Sequence, residues 1–289
     1  MIIKIQYFLK RTGETLLALI KIIFLSGFRP GIRYQQRKND CVVLVNGPSL
    51  NILVDNHRDF LKDRKVFCVN FFPLTPLYEQ LKPEYFIISA PELWLEDVDE
   101  VYVEKSRQTF DSLNTKTSWP LKLLIPFAAK TSGSWKSRIA SNRFIEVIYY
   151  NDTGIEGFRN LVFWFYKRKL AIPRPHNVLV PALMNAINLG YRKIYLWGAE
   201  NDQFKDITVT QDNIALISQK HFYDKAGVTP KTMKKLGKGQ RKVHEILHKF
   251  MLSFEAYHVI NDYAVSRGAR IINQTPGSMI DAFERESIG

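Results

Sequence analysis

Residues 41–50, CVVLVNGPSL, constrain the chain more than any other stretch. Positions 42–45 are apolar and mostly β-branched, too short for a helix and without helical periodicity, so they read as a buried strand. Asn46-Gly47-Pro48-Ser49 then imposes a sharp turn: Gly tolerates unusual dihedrals, Pro fixes its own, and Asn and Ser supply capping oxygens. A strand, a tight turn and a following helix set backbone N–H groups at a helix N-terminus, where phosphate groups settle. An ordinary βα turn fits the run taken alone, so the rest of the chain must decide.

The same rhythm recurs. Residues 65–70 (KVFCVN) form a second apolar strand ending in Asn70, and 85–89 (YFIIS) a third ending in Ser89. A helical turn at 78–82 separates them. Between 93 and about 175 the rhythm breaks into an acidic stretch, Trp119 and Trp135, apolar runs at 121–129 and 144–149 that fit further strands, and an aromatic helix at 158–170. The aromatics of that helix read as packing beneath a lid in preference to a substrate platform. Then come a helix at 180–189 capped by Gly190, a strand at 193–197 ending in Gly198-Ala199-Glu200-Asn201-Asp202, and a long helix at 241–267. A strand at 269–273 follows, and Thr275-Pro276-Gly277-Ser278 opens a final helix through 284. The expected fold is α/β: a Rossmann-like, mostly parallel sheet with helices on both faces, plus a lid insertion at about 93–175 and an N-terminal amphipathic segment. Residues 1–40 form that amphipathic, basic segment and 41–289 the main domain.

A formal charge of +13 over 289 residues calls for an anionic partner: nucleic acid, a phosphate-bearing ligand or an acidic membrane surface. Two cysteines in apolar runs, Cys41 and Cys68, read as buried free thiols of a reducing cytoplasm. No small-residue cleavage site marks a signal peptide. Residues 15–28 are too short and too interrupted by Lys21 to span a bilayer. The first 28 residues therefore lie on an anionic membrane surface or pack on protein. Arg29, Arg33, Arg37 and Lys38 behind them favour the membrane, giving a cytoplasmic protein peripheral on the inner membrane.

In a doubly wound sheet the polar residues at the strand ends, Asn46, Ser49, Asn70, Ser89, Glu200, Asp202 and Ser278, converge on one crevice. Neither the Gly-x-Gly-x-x-Gly fingerprint nor the P-loop pattern is present. A nucleotide held by another loop stays open.

VLVNGPSLN, the strand ending in Asn70, FIISAPELW, ALMNAINLGYRKIYLWGAEND, His221 with its aromatic neighbour and IINQTPGSMIDAF occur here in one order. In that order they resemble the bacterial sialyltransferases that use CMP-sialic acid, and the related surface-polysaccharide glycosyltransferases. The resemblance implies that Asn46, Gly47 and Ser49 line the nucleotide site and that Asn70 contacts its sugar or phosphate; Ser89, at its own strand end, is expected to join that site. The resemblance further implies that His176 and Asn177 close on the nucleotide, that Glu200 and Asp202 lie at the next strand end, and that His221 is the general base. The reaction it implies is a metal-independent inverting transfer from a nucleotide-sugar donor, CMP-linked in the family, to a glycan or glycolipid acceptor, with no cofactor. A histidine titrating near neutrality suits deprotonation of an acceptor hydroxyl, and a departing phosphate needs hydroxyls, amides or cations. Tyr223, with Asp202 beside it in the catalytic set, and Lys225 and Arg174 are candidates. His176-Asn177-Val178 replaces the family's Thr-Ser-Gly loop, and Ala90 replaces its Asn after the third strand.

Three other readings compete. His244-Glu245-Ile246-Leu247-His248 matches the His-Glu-x-x-His zinc motif of metallohydrolases. Lys238, Arg241, Lys242 and Lys249 flank it, a poor field for a divalent cation, and a solvated amphipathic helix explains it better. Nucleic-acid binding fits the charge but has no fold signature here. An ATP-dependent pyrophosphokinase resembling the archaeal pterin enzymes would use Mg²⁺ and carboxylates such as Glu200 and Asp202.

Overall fold

The computed structural model describes residues 2–35, 39–224, 229–234 and 239–288. Arg37, Lys38, Lys225 and Lys238 lie outside the described residues. The chain opens with helix α1 (Ile2–Leu25), followed by β1 (Cys41–Leu44), α2 (Leu50–Asn56), β2 (Lys65–Val69), α3 (Leu77–Leu81) and β3 (Tyr85–Ile87). Next come α4 (Glu100–Lys116), β4 (Leu121–Pro126), α5 (Ser134–Ile139), β5 (Ile145–Tyr150), α6 (Arg159–Lys167), α7 (Leu179–Leu189) and β6 (Lys193–Trp197). A small antiparallel pair, β7 (Ile207–Val209) and β8 (Ala215–Ile217), precedes α8 (Val243–Ser266), β9 (Arg270–Asn273) and β10 (Glu284–Arg285).

Eight strands form one parallel sheet in the order β10-β9-β6-β1-β2-β3-β4-β5. The α/β Rossmann-like expectation is met. Alternation along β1 shows why its short apolar run holds the centre: Cys41 and Val43 face the core under α7 and α8, while Val42 and Leu44 face the opposite core. Both cysteines are buried free thiols, and burial pushes each thiol well above its ordinary value.

Residues 93–175 are a correction. Their apolar runs are β4 and β5, which extend the sheet, and α4 and α5 cover them, so this region is a wing of the main sheet in place of a lid. Four-to-six-residue apolar segments can be buried only by pairing, and β3 offered an open edge. The aromatic helix α6 packs Val162, Phe165 and Tyr166 inward, and Tyr166 and Phe163 meet Tyr263 of α8 edge-on. Phe165 and Tyr166 are core, Phe163 packs against it, and Trp164 is exposed.

Two further differences concern the ends. Thr12-Gly13-Glu14 does not break the N-terminal segment; α1 runs through it for 24 residues. Its inner face carries Ala18 and Ile22, both buried, and bonds residues 153–158: the Phe158 amide donates to Thr15 Oγ1 (3.0 Å) and Lys21 Nζ to the Gly154 carbonyl (3.3 Å). Residues 278–284 form no helix. Ser278 is tied instead to Asn273 and to the Ala199 carbonyl, and the chain ends in β10. No helix among the described residues is long and apolar enough to cross a membrane.

Candidate active site

Strand order runs outward from β1 to β5 on one side and from β6 to β10 on the other, so the topological switch falls between β1 and β6. Ligands of open α/β sheets bind outside the carboxyl ends at such a point. There the two turns lock together. Gly47 N–H donates to the Gly198 carbonyl (2.9 Å), and Ser49 N–H donates to Glu200 Oε1 (2.7 Å). Glu200 is buried, and its carboxylate occupies the helix N-terminus that the sequence reserved for a phosphate. A side chain at position 47 would overlap that carboxylate, so only glycine fits.

The segment 221–223 docks on the same turn: Phe222 N–H donates to the Asn46 carbonyl (3.1 Å), and Asn51 Nδ2 to the Phe222 carbonyl (2.8 Å). Asn46 Nδ2 reaches the Val69 carbonyl (3.3 Å), joining β1 to the end of β2, where Asn70 takes a left-handed φ of 50°. Asn46, Gly47, Ser49, Asn70, Glu200, His221 and Tyr223 are thus brought together. Asn46 Oδ1, Ser49 Oγ, Asn70 Oδ1 and Glu200 Oε2 are buried without a hydrogen-bond partner. Buried polar atoms are nearly always paired, and these four group around one turn.

His221 is half-buried, its ring stacked on Tyr223 at 5.0 Å and 6°, with Nδ1 3.5 Å from Asp224 Oδ2. Burial pushes its imidazole below the ordinary value; Asp224 and a hydrogen bond with the Gln219 backbone oppose this, and Lys105 adds to the depression. At neutral pH the ring is an uncharged base. Burial raises the Tyr223 phenol well above its usual range, so it stays a hydroxyl donor.

His176 and Asn177 stand at the start of α7. Asn177 Oδ1 accepts from Leu179 and Val180 amides, and its Nδ2 donates to the Tyr257 hydroxyl (2.6 Å), which also accepts from Asn201 Nδ2 (2.6 Å). Burial pushes Tyr257 up to about 12, against the pull of both amides. Asn177 therefore braces α7 and α8 against the β6 turn. His176 is depressed to about 4, by burial first and then by the positive field of Arg174, Lys249, His248 and Arg241. Its Nε2 and the Nε of Arg241 are buried without partners. Burial and Arg241 also lower Lys249, with Glu92 acting the other way. Ser89 lies beside the buried Tyr150 hydroxyl, and Asp202 is half-exposed at the head of a short turn.

Arg241, Lys249 and Lys105 are absent from the sequence-derived site. Lys249 was legible in principle, because it falls in register with Ile246, Ser253 and Ala256 on the buried face of α8. The zinc motif resolves differently: Glu245 accepts from the Lys242 amide (2.8 Å) and caps α8, while His244 and His248 are exposed. Among the described residues no group of three or more His, Cys, Asp or Glu side chains is placed to hold a metal ion.

No family model matches the chain, and no curated protein sequence matches it. Among solved structures, the chain is similar to the MAf glycosyltransferase from Magnetospirillum magneticum AMB-1, with a TM-score of 0.46 and 11% identity over 92% of this chain and 37% of that one. The apo structure of FabMG, described as a novel type of enoyl-acyl carrier protein reductase, gives a TM-score of 0.23 and 11% identity over 90% and 66% of the two chains. This chain spans little more than a third of the glycosyltransferase's length. Both likenesses are loose, and the functional reading rests on this chain's own residues.

Proposed function

We propose that the protein is a glycosyltransferase that moves a sugar from a nucleotide-activated donor to a bacterial surface glycan. The observation that carries this reading is the set of unpartnered buried atoms on Asn46, Ser49 and Asn70 around the turn on which 221–223 docks, together with His176 at the start of α7 in the positive field of Arg241 and Lys249. The amides and hydroxyl suit a nucleoside; the cations suit its phosphate. In the reaction the acceptor hydroxyl attacks the anomeric carbon opposite the leaving group. Its proton passes to His221 as the new C–O bond forms and the sugar–phosphate bond breaks. The electron pair leaves on the nucleotide phosphate, where Arg241, Lys249 and the Tyr223 hydroxyl offset the added charge.

In this reading those side chains meet the leaving group's charge, and no metal is invoked. The resemblance to sialyltransferases favours a CMP-linked, sialic-acid-like nonulosonic donor and inversion at the anomeric carbon. The same reading seats α1 on the anionic cytoplasmic face of the inner membrane. Ile2, Ile5, Leu9, Leu16, Ile20 and Ile23 form one outward, uncharged stripe, all at least half exposed, while Lys21 and Arg11 lie on the inner side.

A thermal-shift series with CMP, UDP, GDP and ADP tests the proposal. A ligand at one hundred times its Kd adds about 2.7 kcal/mol, or ~4 °C for a chain of this size. One selective nucleotide is expected, with His221→Ala keeping that shift but losing transfer. No response to any nucleotide removes the proposal.

A further inference from the structure

A second candidate site lies at the opposite end of the sheet. The starts of β2, β3 and β4 floor a groove of about 630 Å³. Arg58, Lys62, Arg64, Lys65, Lys82 and Lys122 line it, against a single lining carboxylate, Glu84. Glu84 is shared between Lys65 (2.6 Å) and Lys122 (3.3 Å), so it leaves their combined charge unbalanced. Lys62 pairs with Asp59, but both are largely exposed and such pairs contribute little. Arg64 lies over the Phe60 ring at 3.6 Å, its Nε buried without a hydrogen-bond partner. Lys82 follows α3 with a left-handed φ of 44°, where glycine would sit with less strain.

Like charges in a concave wall repel one another and raise the local potential, and an anion relieves both. Trp119 donates its indole N–H to the Pro83 carbonyl (2.8 Å), so toward the groove its ring is an apolar surface beside Pro120. The volume falls within the range that encloses a ligand of nucleotide or disaccharide size. We infer that this groove is a second ligand site, taking a compact molecule with two or more closely spaced anionic groups, phosphate or carboxylate. It is separate from the crevice at β1 and β6 and stands whether or not the transferase reading does.

Titration calorimetry of the full chain with inorganic tripolyphosphate and with a galacturonic acid trimer tests the inference. At physiological salt one of the two is expected to bind, and which one separates a phosphorylated from a carboxylated ligand. Arg58→Glu with Lys82→Glu should weaken that binding at least tenfold at an unchanged melting temperature. Lys249→Gln, in the crevice, should leave it intact. If the double variant melts lower, Lys62→Glu alone should still weaken binding several-fold. Failure of both probes to bind the unaltered chain overturns the inference, as does binding that survives these charge reversals or disappears with Lys249→Gln. Binding confined to single-stranded oligonucleotides, tightening with strand length, also overturns it and marks a nucleic-acid track.

Discussion

Gly47→Ala tests the interlock of the two turns. The added methyl would overlap the Glu200 carboxylate and lie 2.5 Å from the Gly198 carbonyl oxygen. The carboxylate must swing away, which breaks its bond from the Ser49 amide at 2.7 Å. Loss of a buried, charge-assisted hydrogen bond costs about 1.5–3 kcal/mol, and overpacking adds roughly 1–3 kcal/mol. The expected loss is about 2.5–6 kcal/mol at the melting point. With an unfolding entropy of ~2.1 cal/mol/K per residue, that is a fall of roughly 4–10 °C, read by circular dichroism or dye fluorescence. Glu200→Ala removes the obstacle but also strands the Ser49 amide. Combining the two should therefore cost less than the sum, by ~1–2 kcal/mol. A melting temperature within about 1 °C of the parent for Gly47→Ala, or a strictly additive pair, refutes the interlock.

Further expectations follow from the site. His221→Ala should reduce transfer by ~10²–10⁴-fold. Because the His221 value is depressed, the acid limb of the parent's pH–rate profile should fall below the ordinary histidine value. Asp224 raises His221 and Lys105 lowers it, so Asp224→Asn should move that limb further down and Lys105→Gln should move it up; shifts of the same sign would take His221 out of the profile. Lys249→Gln should weaken nucleotide binding by about tenfold, the 1.4 kcal/mol scale of a charged contact, with an unchanged response leaving Lys249 outside the phosphate site. Acidic vesicles should co-sediment the protein through α1, and Leu9→Asp with Ile20→Asp should abolish this; retention by those variants would show that the stripe is not the contact.

The alternation of short β-branched runs with polar turns was enough to place β1, β2, β3, β6 and β9, because each is buried on both faces and so reads as continuous apolar sequence. Asn46, Gly47 and Ser49 were legible for the same reason: a strand end that must turn at once tolerates few residue types. The runs of β4 and β5 were legible as strands, but their place in the main sheet was not, because strand order depends on packing beyond any local run. Arg241 and Lys249 read in the sequence only as basic flanks of the zinc motif, because a lysine on a helix looks solvated until tertiary packing buries it.

The sequence by itself determined the sheet, the tight first turn and the burial of both cysteines, since these depend on the local alternation of apolar and turn-forming residues. Tertiary structure alone decided that Glu200, 151 positions from Ser49, fills the helix N-terminus, and that 221–223 rests on the Asn46 carbonyl. Those contacts depend on the order in which strands pair, and strand order is set by packing across the whole sheet, which no local run of residues encodes.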